Sequence, residues 1–129
     1  MRTKAREVTF QLVFASLFEG ADGGMKNALA KKEKLTSDDI SYVDGILSLI
    51  KEHSTTLTHI IDERSVAFPE SRLFPADKSA LLIALAEILY MPSVPKAVSV
   101  NEAANIVARY SSPKSASFVS GILSQIDKG

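Results

Sequence analysis

Apolar residues recur at helical spacing along almost the whole chain, and Gly, Pro and hydroxyl residues mark the breaks between the periodic stretches. From Thr3 to Glu19 two apolar stripes run on roughly opposite sides: Ala5, Val8, Leu12 and Ala15 on one, Phe10, Val13, Phe14 and Leu17 on the other. A helix of that kind must be covered on both faces. Gly20 and Gly23-Gly24 close it, and the Lys-rich stretch from Met25 to Lys34 predicts a short helix whose charges serve solubility. Thr36, Ser37, Asp38 and Asp39 open the next helix with caps and with acids matched to its dipole, turning Ile40, Val43, Leu47 and Ile50 inward. Ser54 to Val66 is a further helix, carrying Leu57, Ile60 and Ile61. The two prolines between Phe68 and Pro75 mark a loop and divide the chain into halves, roughly 1–68 and 69–129. Asp77 to Met91 is apolar almost all round, which places that helix in the middle of the molecule, with Glu87 its lone interior acid. A carboxylate there must reach solvent or find a partner.

Val98 to Ile126 reads as two helices with a sharp corner between them. Ser99 and Glu102 form a capping box that predicts a start near Val100, with Ala103, Ala104, Val107 and Tyr110 on the apolar side. Ser112 followed by Pro113 is a second helix start, a hydroxyl cap before a proline whose missing N–H costs nothing. Phe118, Val119, Ile122, Leu123 and Ile126 give this last helix its apolar face, and a ridge of small residues, Ser117, Gly121 and Ser124, lies opposite. Gly121 inside a helix implies close packing or a ligand contact. The stretch Tyr42–Ile50 also echoes Phe118–Ile126, with six of nine positions identical and an aromatic leading both, which suggests two similar halves. The pattern as a whole predicts an all-α bundle in one domain.

Composition removes several classes of function. The 129 residues suffice for a core without metal or disulfide support, and there is no cysteine to supply either a bridge or a thiolate. His53 and His59 fall on different faces of their helices, so a two-histidine metal site is not expected. No apolar run reaches the roughly 20 residues that a bilayer requires, and no signal-peptide pattern follows Met1, so the expectation is a soluble cytoplasmic protein without a membrane partner. There is no Gly-rich phosphate loop, HExxH or G-x-S-x-G, and an enzyme is the poorest fit. The formal net charge is zero, which argues against indiscriminate coating of nucleic acid but leaves room for a local basic site.

Two basic points are available for such a site. Arg2, Lys4 and Arg6 crowd a helix N-terminus, where the dipole favours acids, so local stability does not account for them. Arg109 and Lys114 flank the Ser111-Ser112-Pro113 corner, where amides at the start of the last helix can meet a phosphate. Phe14 and Phe18 are candidates for stacking on an unpaired base. The residues alone therefore support an RNA-binding reading, with solubilising charge as the alternative.

The run VPKAVSVNEAANIVARYSSPKSASFVSGIL resembles the C-terminal signature of the NusB family of bacterial transcription antitermination factors, in which VP and INEA precede an aliphatic helix, a basic residue, an aromatic and FVNG. TKAREVTFQLVFA resembles the family's opening, and DKSALLIALAEILY stands where the family has its central aliphatic helix. The resemblance implies about seven helices in two three-helix subdomains, without cofactor or metal. It also implies binding of the boxA element of nascent ribosomal RNA transcripts together with the ribosomal protein NusE, and through that complex NusA, NusG and RNA polymerase. Carried over by motif, Arg2, Lys4 and Arg6 match the basic arm, Phe14 the first-helix aromatic, and Lys114 to Phe118, with Ser115 and Ser117, the RNA-facing segment. Leu82, Ala86 and Glu87 fall on the helix implicated in the NusE contact. Leu82 and Ala86 stand where arginine and tyrosine are common, and Ser120 replaces the asparagine of FVNG. Self-association of the free protein stays open, as do two alternatives: an adaptor of the same fold without RNA binding, and a stand-alone module like the N-terminal domain of certain ribosomal RNA cytosine methyltransferases.

Overall fold

A computed structural model describes residues 2–17, 23–65 and 73–128, and within them the chain forms seven α-helices and no strand. In order they are α1 (Arg2–Ser16), α2 (Gly23–Lys32), α3 (Ser37–Glu52), α4 (Ser54–Arg64), α5 (Pro75–Tyr90), α6 (Lys96–Tyr110) and α7 (Pro113–Ser124). None is long and apolar enough to cross a membrane. Most of the loop expected between Phe68 and Pro75 lies outside the described residues, as does Phe18.

Of the three starts that hydroxyl caps or a capping box mark in the sequence, two carry the expected cap and one does not. Thr36 and Asp39 close a reciprocal capping box on α3, and the Ser112 hydroxyl accepts from the Ser115 amide at the head of α7, where Pro113 occupies the first turn. Gly23-Gly24, expected to end a helix, instead open α2. That helix ends on Lys34, whose φ of 55° is a left-handed conformation normally left to glycine, while the Leu35 amide returns to the Ala30 carbonyl at 3.0 Å. The exception is α6. It begins at Lys96 behind Pro95, a turn earlier than the Ser99–Glu102 box implies, because both side chains are taken up by other helices.

α5 is the centre. Every residue from Ala76 to Ile88 except Lys78 is buried, and the helix packs against α1, α3, α4, α6 and α7. Its apolar circumference is thus satisfied by neighbours on all sides. Phe10, Ile46, Leu57, Ile61, Leu81, Leu85 and Leu123 fill the core around it. His53, at the α3–α4 junction, stacks on Tyr90 at 3.9 Å between centroids and ties that junction to the end of α5. The echoing stretches of α3 and α7 bury equivalent positions, Val43 with Val119 and Ile46 with Ile122, and both leave their glycine on the surface.

Gly121 does not serve the close packing its position suggests. A Cβ built there, or at Gly45, meets nothing within 4 Å. Gly121→Ala is therefore expected to raise stability by about 0.5–1 kcal/mol, since it removes backbone freedom from the unfolded chain and introduces no clash. Thermal denaturation checks this, and a lowered midpoint would show that the open surface beside Gly121 is not open.

Candidate nucleic-acid interface

The residues proposed from sequence fall into three groups. The first is interior. Arg6 on α1 is only 4% exposed and donates through Nε to Glu87 Oε2 of α5 at 2.8 Å, while its Nη1 reaches Glu102 Oε1 of α6 at 3.1 Å. Glu87, 1% exposed, also accepts from the Tyr42 hydroxyl of α3 and from the Ser99 hydroxyl of α6 at 2.7 Å. Glu102 further accepts from Thr3 at 2.8 Å. Four helices are thus clamped by one ion-pair network. A void of about 10 Å³ beside it is at the limit for a single water, so this is packing and not a ligand pocket. Burial alone would weaken the Arg6 charge, but the bond to Glu87 and its negative field outweigh that and hold the guanidinium above its ordinary pKa. Burial, and then Glu87, push the Tyr42 hydroxyl well above its usual range.

This placement corrects two expectations. Arg6 is not presented as part of an exposed arm, because a buried guanidinium is tolerated only when its charge is paired. Leu82, Ala86 and Glu87, expected at a partner surface, are 5%, 0% and 1% exposed, respectively.

The second group is the remainder of the N-terminal arm. The Arg2 guanidinium lies 4.5 Å from the Tyr42 ring centroid, a cation–π contact, and Lys4 pairs with Glu33 at the end of α2 at 3.5 Å. Both side chains remain at the surface.

The third group is the α6–α7 corner. Arg109 is half-exposed and pairs with Glu7 at 3.1 Å; Tyr110, 45% exposed, donates to the same carboxylate at 2.9 Å and packs its ring, tilted by 40°, against Phe10 at 4.8 Å between centroids. Phe14, Gln11 and Tyr110 line a shallow groove of about 380 Å³ together with Met25 and Leu29 of α2. Lys114 and Ser117 are exposed on α7, and Lys114 has no ion pair among the described residues. Ser115 is buried instead: its hydroxyl donates to Asp77 Oδ2 of α5 at 3.0 Å and contacts Ser111 at 2.9 Å, which fixes the corner to the start of α5. Burial raises the Asp77 carboxyl above its ordinary range, with the Ser115 hydroxyl pulling the other way.

An acid whose pKa is raised on folding is least costly when protonated, so its relative stabilisation is present at low pH and is lost as pH rises through the folded value. Asp77→Asn should therefore raise the melting temperature at neutral pH, and the gain should shrink as pH falls into the carboxylate range. A gain that is the same at both pH values would show that Asp77 carries no burial penalty.

The two cationic regions do not form one corner. Bonds from Thr3 to Glu102, Glu7 to Arg109 and Gln11 to Tyr110 show α1 and α6 running parallel. The first turn of α1 therefore lies beside the middle of α6, at Glu102, and the Ser-Ser-Pro bend follows the far end of α6, about 12 Å along at 1.5 Å per residue. Tyr110, read from sequence only as an apolar helix position, proves to be an exposed ring between Arg109 and the bend. An aromatic next to a base at a helix end was the available signal.

The NusB family model matches residues 3–128. The chain belongs to the NusB family. Two similar relatives are each called transcription antitermination protein NusB. That of Ruminiclostridium cellulolyticum is 33% identical over 129 residues, spanning 99% of this chain and 89% of the relative. That of Agathobacter rectalis is 30% identical over 132 residues, spanning 96% and 97%. Among solved structures, NusB of T. maritima superposes with a TM-score of 0.81 at 25% identity, covering 97% of this chain and 89% of that one. The NusB of a complex of antitermination factors NusB and NusE with dsRNA gives 0.84 at 21% identity, covering 96% and 93%, and so shares the fold. The seven-helix arrangement centred on α5 is thus a NusB fold.

Proposed function

We infer that this NusB-family chain is a transcription antitermination factor that binds single-stranded, boxA-type RNA of nascent ribosomal RNA transcripts together with the ribosomal protein NusE. The observation that carries this reading is the α6–α7 corner, where Arg109, Tyr110 and Lys114 are exposed within a short stretch of chain and Tyr110 lines the Phe14 groove, offering cations for phosphates and rings for unpaired bases. Family membership and the solved NusB–NusE–dsRNA assembly of a related fold support it. Arg2 and Lys4 lie at the other end of the same helix pair and extend the phosphate track; a strand bound along α1 and α6 meets both.

The test is a fluorescence anisotropy titration of boxA-like RNA, with and without NusE, over a range of salt. Affinity should fall steeply as salt rises, because each phosphate neutralised releases counterions, and NusE should tighten binding. Association with NusE alone, with no RNA binding at any salt, would identify the chain as an adaptor. That second reading draws on the carboxylates already paired with Lys4 and Arg109.

A further inference from the structure

We propose that the cavity where the start of α5 meets the start of α7 holds one unpaired nucleotide whose base carries an exocyclic amino group, with its phosphate against Lys114. This rests on the RNA-binding reading above and goes further, to the class of base recognised.

The cavity measures about 290 Å³ and is lined by Leu73, Phe74 and Phe118, by the buried Asp77 and Ser115, and by the exposed Lys114. Phe74 is 68% exposed, more than any other large apolar residue described, and it occupies the N-cap of α5, where its side chain makes no capping bond. Neither capping nor core packing accounts for a phenyl ring there. Asp77 is 3% exposed; Oδ2 is satisfied by Ser115, but Oδ1 has no hydrogen-bond partner among the described residues. A buried carboxylate oxygen without a donor is costly, and one supplied by a ligand removes that cost.

Each feature constrains the occupant. Two phenyl walls favour a planar ring, since base–aromatic stacking works with any base. The free Oδ1 calls for an N–H donor. Lys114 favours an anion, with its exposed ammonium and the one first-turn amide of α7 that Ser112 does not take up. A basic peptide side chain would satisfy Asp77 but would be repelled by Lys114; a phosphate alone would be repelled by Asp77. A nucleotide satisfies both. Among bases, the one ring N–H of uracil stands between two carbonyl oxygens that a carboxylate repels, whereas an amino hydrogen of adenine or cytosine has at most one ring nitrogen beside it.

The experiment is an anisotropy titration of oligo(A), oligo(C) and oligo(U) of equal length against the full chain and its Asp77→Asn and Phe74→Ala variants, with melting curves for each. The wild type should bind oligo(A) and oligo(C) about tenfold more tightly than oligo(U), the scale of one hydrogen bond to a charged group. Asp77→Asn, which keeps an acceptor for Ser115, should collapse that preference, because its amide can also donate to uracil carbonyls. Phe74→Ala should weaken all three by a similar factor, about tenfold, without lowering the melting temperature. RNA binding with no base preference, or a preference untouched by Asp77→Asn, overturns the pocket alone. An arginine-rich peptide whose binding is lost in Asp77→Asn would assign it to protein and overturn it too. A wild type that binds none of the three RNAs removes the RNA reading and the pocket together.

Discussion

Glu87→Ala is expected to cost about 3–5 kcal/mol of stability, the range for removing one partner of a buried ion pair. The variant would leave the Arg6 guanidinium 4% exposed with only Glu102 to balance it, and would strip the Tyr42 and Ser99 hydroxyls of their acceptor at the same time. For a chain of this size the melting temperature should drop by about 10 °C or more. Arg6→Ala should fall in the same range, because it strands Glu87 instead. The reason is desolvation and not attraction. Replacing both with apolar residues of similar volume, Arg6→Met with Glu87→Leu, should recover the part of the loss that comes from the stranded charge, while the Tyr42 and Ser99 hydroxyls still lack their acceptor. A double-mutant cycle by chemical denaturation measures the coupling. If Glu87→Ala melts within about 2 °C of the wild type, the network is not buried as described.

The same network shows where a local reading of this chain reaches its limit. The helices were legible because their apolar periodicity is long and their starts carry hydroxyl caps or prolines, as at Thr36 and Ser112. Glu87 was legible as a problem, a carboxylate in an apolar helix, but its solution was not, since its Arg6 partner lies 81 residues away. Arg6 itself looked like an exposed cation because three bases at a helix start oppose the dipole. Ser99 and Glu102 have the spacing of a capping box and were read as one, yet tertiary bonds claim both side chains. Local rules rank what a side chain can do for its own turn; they do not register a stronger offer from another helix. Phe74 and Asp77 carry no spacing that points to a ligand, and only the approach of Ser115 and Phe118 on α7 closes a cavity over them.

Arg109→Glu combined with Lys114→Glu is expected to weaken binding of a boxA-like single strand by about 100-fold or more, two charged contacts at about 1.5–3 kcal/mol each. The fold should be unaffected. Lys114 has no ion pair among the described residues, and the Arg109–Glu7 pair is a surface bridge of small worth. The melting temperature is thus the control that separates this pair from Arg6, whose loss is expected to lower it. Losing two phosphate contacts should also lower the slope of log affinity against log salt by about 1.4 for a single strand. Arg2→Glu with Lys4→Glu, at the opposite end of the α1–α6 face, gives the direction of the track. A strand that runs the length of the face should lose affinity in both double variants, whereas a short oligonucleotide seated at the bend should respond to Arg109 and Lys114 alone. Equal insensitivity of both lengths to the Arg109 and Lys114 reversal, in a protein that still binds RNA, would move the interface off the α6–α7 corner altogether.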